Sequence, residues 1–388
     1  MIEIKNLDVI FGNAPEKALN LLDKGCDRDE ILDKTGQVLG VKGASLSVNK
    51  GEICVLMGLS GSGKSSLLRC VNGLNPITRG EVNIEYQGNM INFAEADEQT
   101  QRELRMKTIS MVFQKFALMP WLTVAENVAM PLEIQGLDKK SVRKRVAEQL
   151  DIVGLSEWAD HKPSQLSGGM QQRVGLARAL ATESDILLMD EPFSALDPLI
   201  RSQLQDELLQ LQEKLNKTII FVSHDLDEAL KIGNHIAIMK DGEIVQHGNP
   251  QEIVMDPADD YVRDFVAHTN PMNVLLARDL MRPIAELNTA EKGYCLSKRH
   301  DYWLAADKQS VIHRDSQTAL QRFDNAASSA ELKMTGTIVS AKTPMRDVLE
   351  IRYDTDHAVF IEENNDIVGF VGDKELFHSL LGKMLQND

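Results

Sequence analysis

The 388-residue chain lacks any uninterrupted apolar stretch near the ~18 residues that a membrane-spanning helix needs, which argues against a membrane-embedded chain. It also lacks a secretory signal pattern and a lipidation motif. It is therefore expected in the cytosol, touching a membrane only through a partner. Cationic surplus is missing too: 42 Lys and Arg stand against 58 Asp and Glu, for a net charge of −16. A broad nucleic-acid-binding face needs clustered Lys and Arg, so no nucleic-acid partner is expected. The four cysteines, Cys26, Cys54, Cys70 and Cys295, show no paired spacing of a metal site and suit a reducing compartment. What is present is an ordinary globular composition, 43% apolar and 26% charged, over a length that allows two or three domains.

The most informative stretch runs from Ile53 to Ser66, where a short apolar run breaks into a glycine-rich loop ending in Lys64 and Ser65. It reads as strand, loop and helix start. The spacing Gly58-x-x-x-x-Gly63-Lys64-Ser65 matches the Walker A pattern, whose glycines let backbone N–H groups curl around phosphate oxygens. Gly58, Ser60, Gly61, Ser62, Gly63 and Ser66 would supply the cradle, with the positive helix end beneath it. Lys64 would reach the terminal phosphates, and the Ser65 hydroxyl would hold Mg²⁺. A plain Gly/Ser turn would not need a lysine and a hydroxyl in this register.

Further candidates sit at strand ends. Asp185–Met189 is an apolar run closing in Asp190 and Glu191, and ligands of open α/β sheets bind at the carboxyl ends of strands. Asp190 can hold Mg²⁺, while Glu191 can orient or deprotonate a water. Thr218–Ser223 is a second such run, tipped by His224, which could donate to a γ-phosphate oxygen. Ile109–Phe113 ends in Gln114, whose amide could meet a metal-bound water, although most strand-end glutamines are merely solvated. Leu166-Ser-Gly-Gly-Met-Gln-Gln-Arg173 opens another helix, capped by Ser167 and left bare at Gly168 and Gly169 for close approach of an anion. Two anion-binding helix starts for one nucleotide suggest that each serves a different end of it, across a dimer; the competing reading is a Ser-capped structural helix with a glycine hinge.

Elsewhere the pattern is structural. Residues 1–12 alternate as an opening strand, with Phe11 at its end as core or as a base-stacking ring. Two short helical patterns, Glu16–Asp23 and Arg28–Lys34, form an insertion to which no chemistry attaches. Glu81–Tyr86 alternates like an antiparallel strand, and helical stretches follow Pro120. The basic run Lys139, Lys140, Arg143, Lys144 and Arg145 reads as the wet face of a helix. Strands Ile236–Met239 and Glu243–Gln246 form a hairpin about Asp241-Gly242, and two short helices end near His268. In the tail, Ala358–Phe377 reads as strand, turn, strand, helix.

With the Walker A loop, the Leu166–Gln172 signature and the acid pair in order, residues 1–268 resemble the ATP-binding subunit of ABC transporters. The resemblance implies a P-loop α/β fold: a RecA-like core, an antiparallel β subdomain and a helical subdomain at about 118–175. It makes Gln114 the Q-loop residue and a metal contact, Asp190 the Walker B metal residue, Glu191 the catalytic carboxylate, Asp197 part of the D-loop and His224 the switch histidine. Ser66 stands where many members have Thr. Two copies would pair head to tail, so that Ser167 and Gly169 touch the ATP held by the other copy's Lys64 loop.

The wording Lys34–Val41, Val112–Pro120 and Phe193–Arg201, and the insertion after Phe11, look like the glycine betaine and choline importers. That implies an ATPase on the cytoplasmic face of the plasma membrane. It would be joined to transmembrane permease subunits, docking through Gln114 to about Leu132 with Trp121, and indirectly to a substrate-binding protein. Phe11, with Leu39 or Val41 as alternatives, would stack on adenine. After a linker at 269–278, residues 279–388 would form a degenerate CBS-like regulatory domain, recognisable in Thr343–Leu381 and only loosely before it. The rival readings are a soluble ABC ATPase acting on another macromolecule, or an importer ATPase for a different small solute.

Overall fold

The computed structural model describes all residues except 115–116, 195, 268, 271, 273, 315, 324–331 and 381–388, with side chains at 379–380 also left aside. It divides into two compact units, Met1–Pro250 and Gln251–Asp388. The division falls after Pro250, so the short helices that the sequence reading placed before 268 group instead with the C-terminal unit.

The N-terminal unit holds two sheets. The first is antiparallel, in the order β2 (Val38–Val48), β1 (Ile2–Phe11), β4 (Arg79–Tyr86), β5 (Asn89–Asn92). The second runs β10 (Glu243–Gly248), β9 (His235–Lys240), β3 (Ile53–Met57), β8 (Thr218–Val222), β7 (Ile186–Asp190), β6 (Ile109–Val112). Its five strands from β9 to β6 are parallel, and β10 pairs antiparallel at one edge. Strands β3, β7 and β8 are buried at every residue, which explains their unbroken apolar runs: interior parallel strands are covered on both faces. Because β3, β6, β7 and β8 are parallel, the loops after them emerge at one edge.

Helix α3 (Lys64–Val71) buries Leu67, Leu68, Cys70 and Val71 in a core shared with both sheets. The insertion forms α1 (Pro15–Leu22) and α2 (Arg28–Thr35) over a small core of Ile10, Ala18, Leu22, Ile31 and Leu39. Helix α4 (Glu98–Glu103) precedes β6, and the helical part packs α5 (Val124–Ile134), α6 (Lys139–Ile152) and α7 (Gly168–Ala181) together. On α6 the basic residues ring a buried stripe of Val142, Val146 and Leu150, as a solvated face should. Helices α8 (Pro198–Leu215) and α9 (Leu226–Ile232) flank β8 in the chain.

The C-terminal unit begins with α10 (Pro250–Met255), α11 (Asp260–Val266) and α12 (Ala277–Leu280). One sheet is mixed, β11 (Arg282–Pro283), β20 (Asp366–Val371), β19 (Val359–Glu363), β18 (Thr337–Ser340) and β17 (Gln321–Arg322) in spatial order. The other is an antiparallel meander of β12 (Thr289–Ala290), β13 (Gly293–Ser297), β14 (Tyr302–Leu304), β15 (Ser310–His313) and β16 (Ser316–Ala319). Helices α13 (Met345–Thr355) and α14 (Asp373–Leu380) complete it. The strand, turn, strand, helix reading of Ala358–Phe377 matches β19, β20 and α14. Before Thr337, the described strands β12 to β16 turn back on one another as a meander.

A nucleotide-type site at the sheet edge

The glycine-rich loop leaves β3 and enters α3 in a shape that only glycine permits at two points. Gly58 has φ +138°, and a Cβ there would lie 2.1 Å from the Met239 carbonyl oxygen. Gly63, the N-cap of α3, has φ +105°, and its Cβ would lie 2.4 Å from the Gly40 carbonyl oxygen. The turn of the β9–β10 hairpin holds the loop from outside: the Gly242 amide donates to the Ser62 carbonyl (3.0 Å), while its own carbonyl accepts from Lys42 N (2.9 Å). Thus β2 and an edge hairpin far along the chain shape the loop.

A pocket of about 340 Å³ opens above it, lined by Phe11, Arg28, Val38, Gly40, Ser60, Gly61, Gly63, Lys64, Ser65, Ser66, Gln114 and Glu191. The structure therefore brings to one cavity most of the residues expected around a nucleotide. Lys64 donates to the carbonyls of Gly58 (2.7 Å) and Leu59 (2.9 Å). Burial pushes its ammonium below the ordinary lysine range, against the opposing pull of Glu191 and Asp190. Gly58 and Ser62 do not line the cavity. The Ser62 amide donates to the Leu59 carbonyl (3.2 Å), and its hydroxyl is buried without a partner.

Asp190 is fully buried at the end of β7, with one carboxylate oxygen accepting from Ser65 Oγ (2.7 Å) and the other from Arg69 Nη2 (2.8 Å). Two hard oxygen donors side by side, one of them charged, are the chemistry that Mg²⁺ prefers, so Ser65 and Asp190 fit that ion. Arg69 went unread although it lies one helical turn beyond Ser65, a spacing that puts both on one face of α3. Glu191 turns away from its neighbour because its φ is +47°, a left-handed conformation uncommon outside glycine and frequent at functional sites. Its carboxylate accepts from Gln114 Nε2 (2.9 Å), and His224 Nδ1 lies 3.5 Å from the same oxygen. The Gln114 amide nitrogen thus faces Glu191. Behind His224, Arg201 joins the Asp225 carboxylate (2.9 Å) to the Leu196 carbonyl (3.3 Å), tying the turn after Glu191 to the turn after β8.

Phe11 lies at the pocket mouth, paired in the β1–β2 register with Val38, which is 39% exposed. Leu39 and Val41 are fully buried core residues, so neither alternative reaches a base; both lie on β2, whose alternation sends those side chains inward. Ser167 and Gly169 are not in this cavity. They stand at the open start of α7, where the Ser167 hydroxyl caps the Met170 amide (3.3 Å). Asp197 caps α8 through the Ile200 amide (3.1 Å). Trp121 is 68% exposed, and Lys115 and Phe116, inside the expected docking stretch, lie outside the described residues.

This fold and site define a P-loop ATPase, and comparison with known proteins places it. Residues 41–194 match the model of the ABC transporter family. The glycine betaine/proline betaine transport ATP-binding protein ProV of Escherichia coli K12 is 42% identical over 399 residues, covering 98% of this chain and 97% of that one. The trimethylamine N-oxide transport ATP-binding protein TmoW of Ruegeria pomeroyi is 48% identical, covering 82% and 96%. The glycine betaine/carnitine transport ATP-binding protein GbuA of Listeria monocytogenes is 51% identical over 72% of this chain and 70% of that one. Among solved structures, the ATP-binding cassette MJ0796 in a dimeric post-hydrolysis state bound to ADP and Pi superposes with a TM-score of 0.55 at 33% identity, covering 64% of this chain and 99% of that one. The chain belongs to the ATP-binding subunits of ABC transporters.

Proposed function

We propose that this chain hydrolyses ATP to energise import of a small quaternary amine of the glycine betaine type through separate permease subunits. The single observation that carries the enzymatic part is the convergence of Lys64, Ser65, Asp190, Glu191, Gln114 and His224 on one sheet edge. The relatives' transport of glycine betaine, carnitine and trimethylamine N-oxide supports the substrate class.

In this reading the loop amides and Lys64 bind the β- and γ-phosphates, and Ser65 with Asp190 would hold Mg²⁺, which would supply charge neutralisation at the phosphates. Glu191, held by Gln114 and His224, orients a water in line with the γ-phosphate and accepts its proton. His224 is placed to donate to the γ-phosphate beside it. Positioning and fixed charge do most of the work in such transfer.

Ser167 and Gly169 lie outside the cavity of their own chain, so the closed site is completed by the α7 start of a second copy, paired head to tail; the similar cassette MJ0796 is dimeric. Trp121 and the apolar residues around it meet the permease on the cytoplasmic membrane face, with a substrate-binding protein beyond. The C-terminal unit acts as a CBS-like regulator of transport.

Vesicles reconstituted with the cognate permease and binding protein test both halves. Glycine betaine or choline should be taken up with ATP, and Glu191→Gln should keep ATP binding while phosphate release falls by about 10²-fold or more. Near-normal turnover would remove Glu191 from its role. Uptake of an unrelated solute alone would overturn the substrate class.

A further inference from the structure

The insertion between β1 and β2 reaches the phosphate loop. Arg28, the first residue of α2, lines the same cavity as Ser60, Gly61 and Gly63–Ser66, and its Nη1 donates to the Gly61 carbonyl at 2.8 Å. Arg28 makes no ion pair with a carboxylate among the described residues. A guanidinium has five N–H donors in a planar fork suited to phosphate oxygens, so most of its capacity faces the cavity rather than the loop.

The insertion holds that side chain in place. Helix α2 starts with a reciprocal capping box between Asp27 and Glu30 and ends at Gly36 in the left-handed region. Arg79 clips the insertion to the sheet by bonding both Asp23 (2.8 Å) and the buried Asp8 (2.6 Å). The cavity's charged lining is then Arg28 and Lys64 against Glu191. The Lys64 ammonium uses two of its three donors on carbonyls of its own loop, whereas Arg28 uses one of five on Gly61, so Arg28 has the larger number left.

We propose that Arg28 is a nucleotide-binding residue: from the helical insertion it donates to the polyphosphate of ATP in the cavity that Gln114 and Glu191 also line. This rests on the ATPase reading above and deepens it. On nucleotide entry the fork keeps or gives up the Gly61 carbonyl and takes phosphate oxygens, which favours ATP and ADP over adenosine.

Equilibrium binding of ATP, ADP and adenosine to the full chain tests this with Arg28→Ala, Arg28→Gln and Arg28→Lys. Arg28→Gln is the decisive variant, since it keeps a polar donor but carries no charge. The expected result is that Ala and Gln variants bind ATP and ADP about tenfold more weakly, Lys falls between, and adenosine is unaffected. If Arg28→Gln binds ATP like the native chain, Arg28 only tethers the loop and the proposal fails. Equal losses for adenosine and ATP would overturn it as well. A native chain that does not bind ATP would instead overturn the functional reading.

Discussion

Two helices of the N-terminal unit start at glycine-rich turns, yet they are built differently. Helix α3 leaves Gly63 without any side chain over its first turn, and that turn is walled by Gly40, Gly242 and the insertion. Helix α7 leaves Ser167 with one amide capped and Gly168 in open space, while the rest of the helix from Val174 to Ala181 is buried. Both offer a positive helix end to an anion. The first has a cavity of its own chain above it, and Ser167 and Gly169 are not among that cavity's lining residues. A helix start that is open and uncharged at the tip of a buried helix is suited to something brought from outside, whereas the α3 start is finished within its own unit.

The strongest way to break this contrast is to disable each start in a separate chain. Lys64→Ala should abolish ATP binding and turnover. Gly168→Asp, which has room for its side chain, should leave ATP binding intact but lower turnover by more than about tenfold by setting a carboxylate against the partner's phosphates. Mixing the two variants should restore ATP-driven pairing and part of the turnover, because one of the two composite sites then keeps both intact starts. No recovery would mean that α7 does not serve another chain.

Alkaline pH sharpens the contrast with a smaller effect. Binding at the α3 end needs the Lys64 ammonium, whose pKa burial lowers from the ordinary 10.5. As pH rises through that lowered value the charge is lost, so ATP affinity should start to fall below pH 10.5; no titratable side chain stands in the first turn of α7. Binding isotherms from pH 7 to 10.5 measure this, and a profile flat to the top of that range would argue against charge on Lys64 in binding. The smallest change is expected from Ser66→Thr, which keeps the hydroxyl at the pocket edge: steady-state phosphate release should change by less than about twofold.

The strand-end chemistry was legible because parallel strands bury both faces. The runs into Met57, Asp190 and Val222 had to be apolar, so Lys64, Asp190, Glu191 and His224 stood out as polar interruptions in register. Arg28 was not legible. Its position depends on how α2 folds back over the loop, and a lone arginine at a helix start carries no periodic signal. The stacking alternatives failed for a related reason: nothing local told that β2 begins at Val38 and so turns Leu39 and Val41 inward. The C-terminal meander escaped because its strands are two to five residues long and β16 is exposed throughout, which erases the alternation that marks a half-buried strand.

The bond from Gly242 to Ser62 carries a temporal consequence. Synthesis delivers the glycine-rich segment early, but the hairpin turn that clasps it emerges only after the whole parallel sheet has been made. A ribosome paused before Gly242 would display the motif without its contour, and capture of ATP by stalled nascent chains should switch on only once that turn has cleared the exit tunnel.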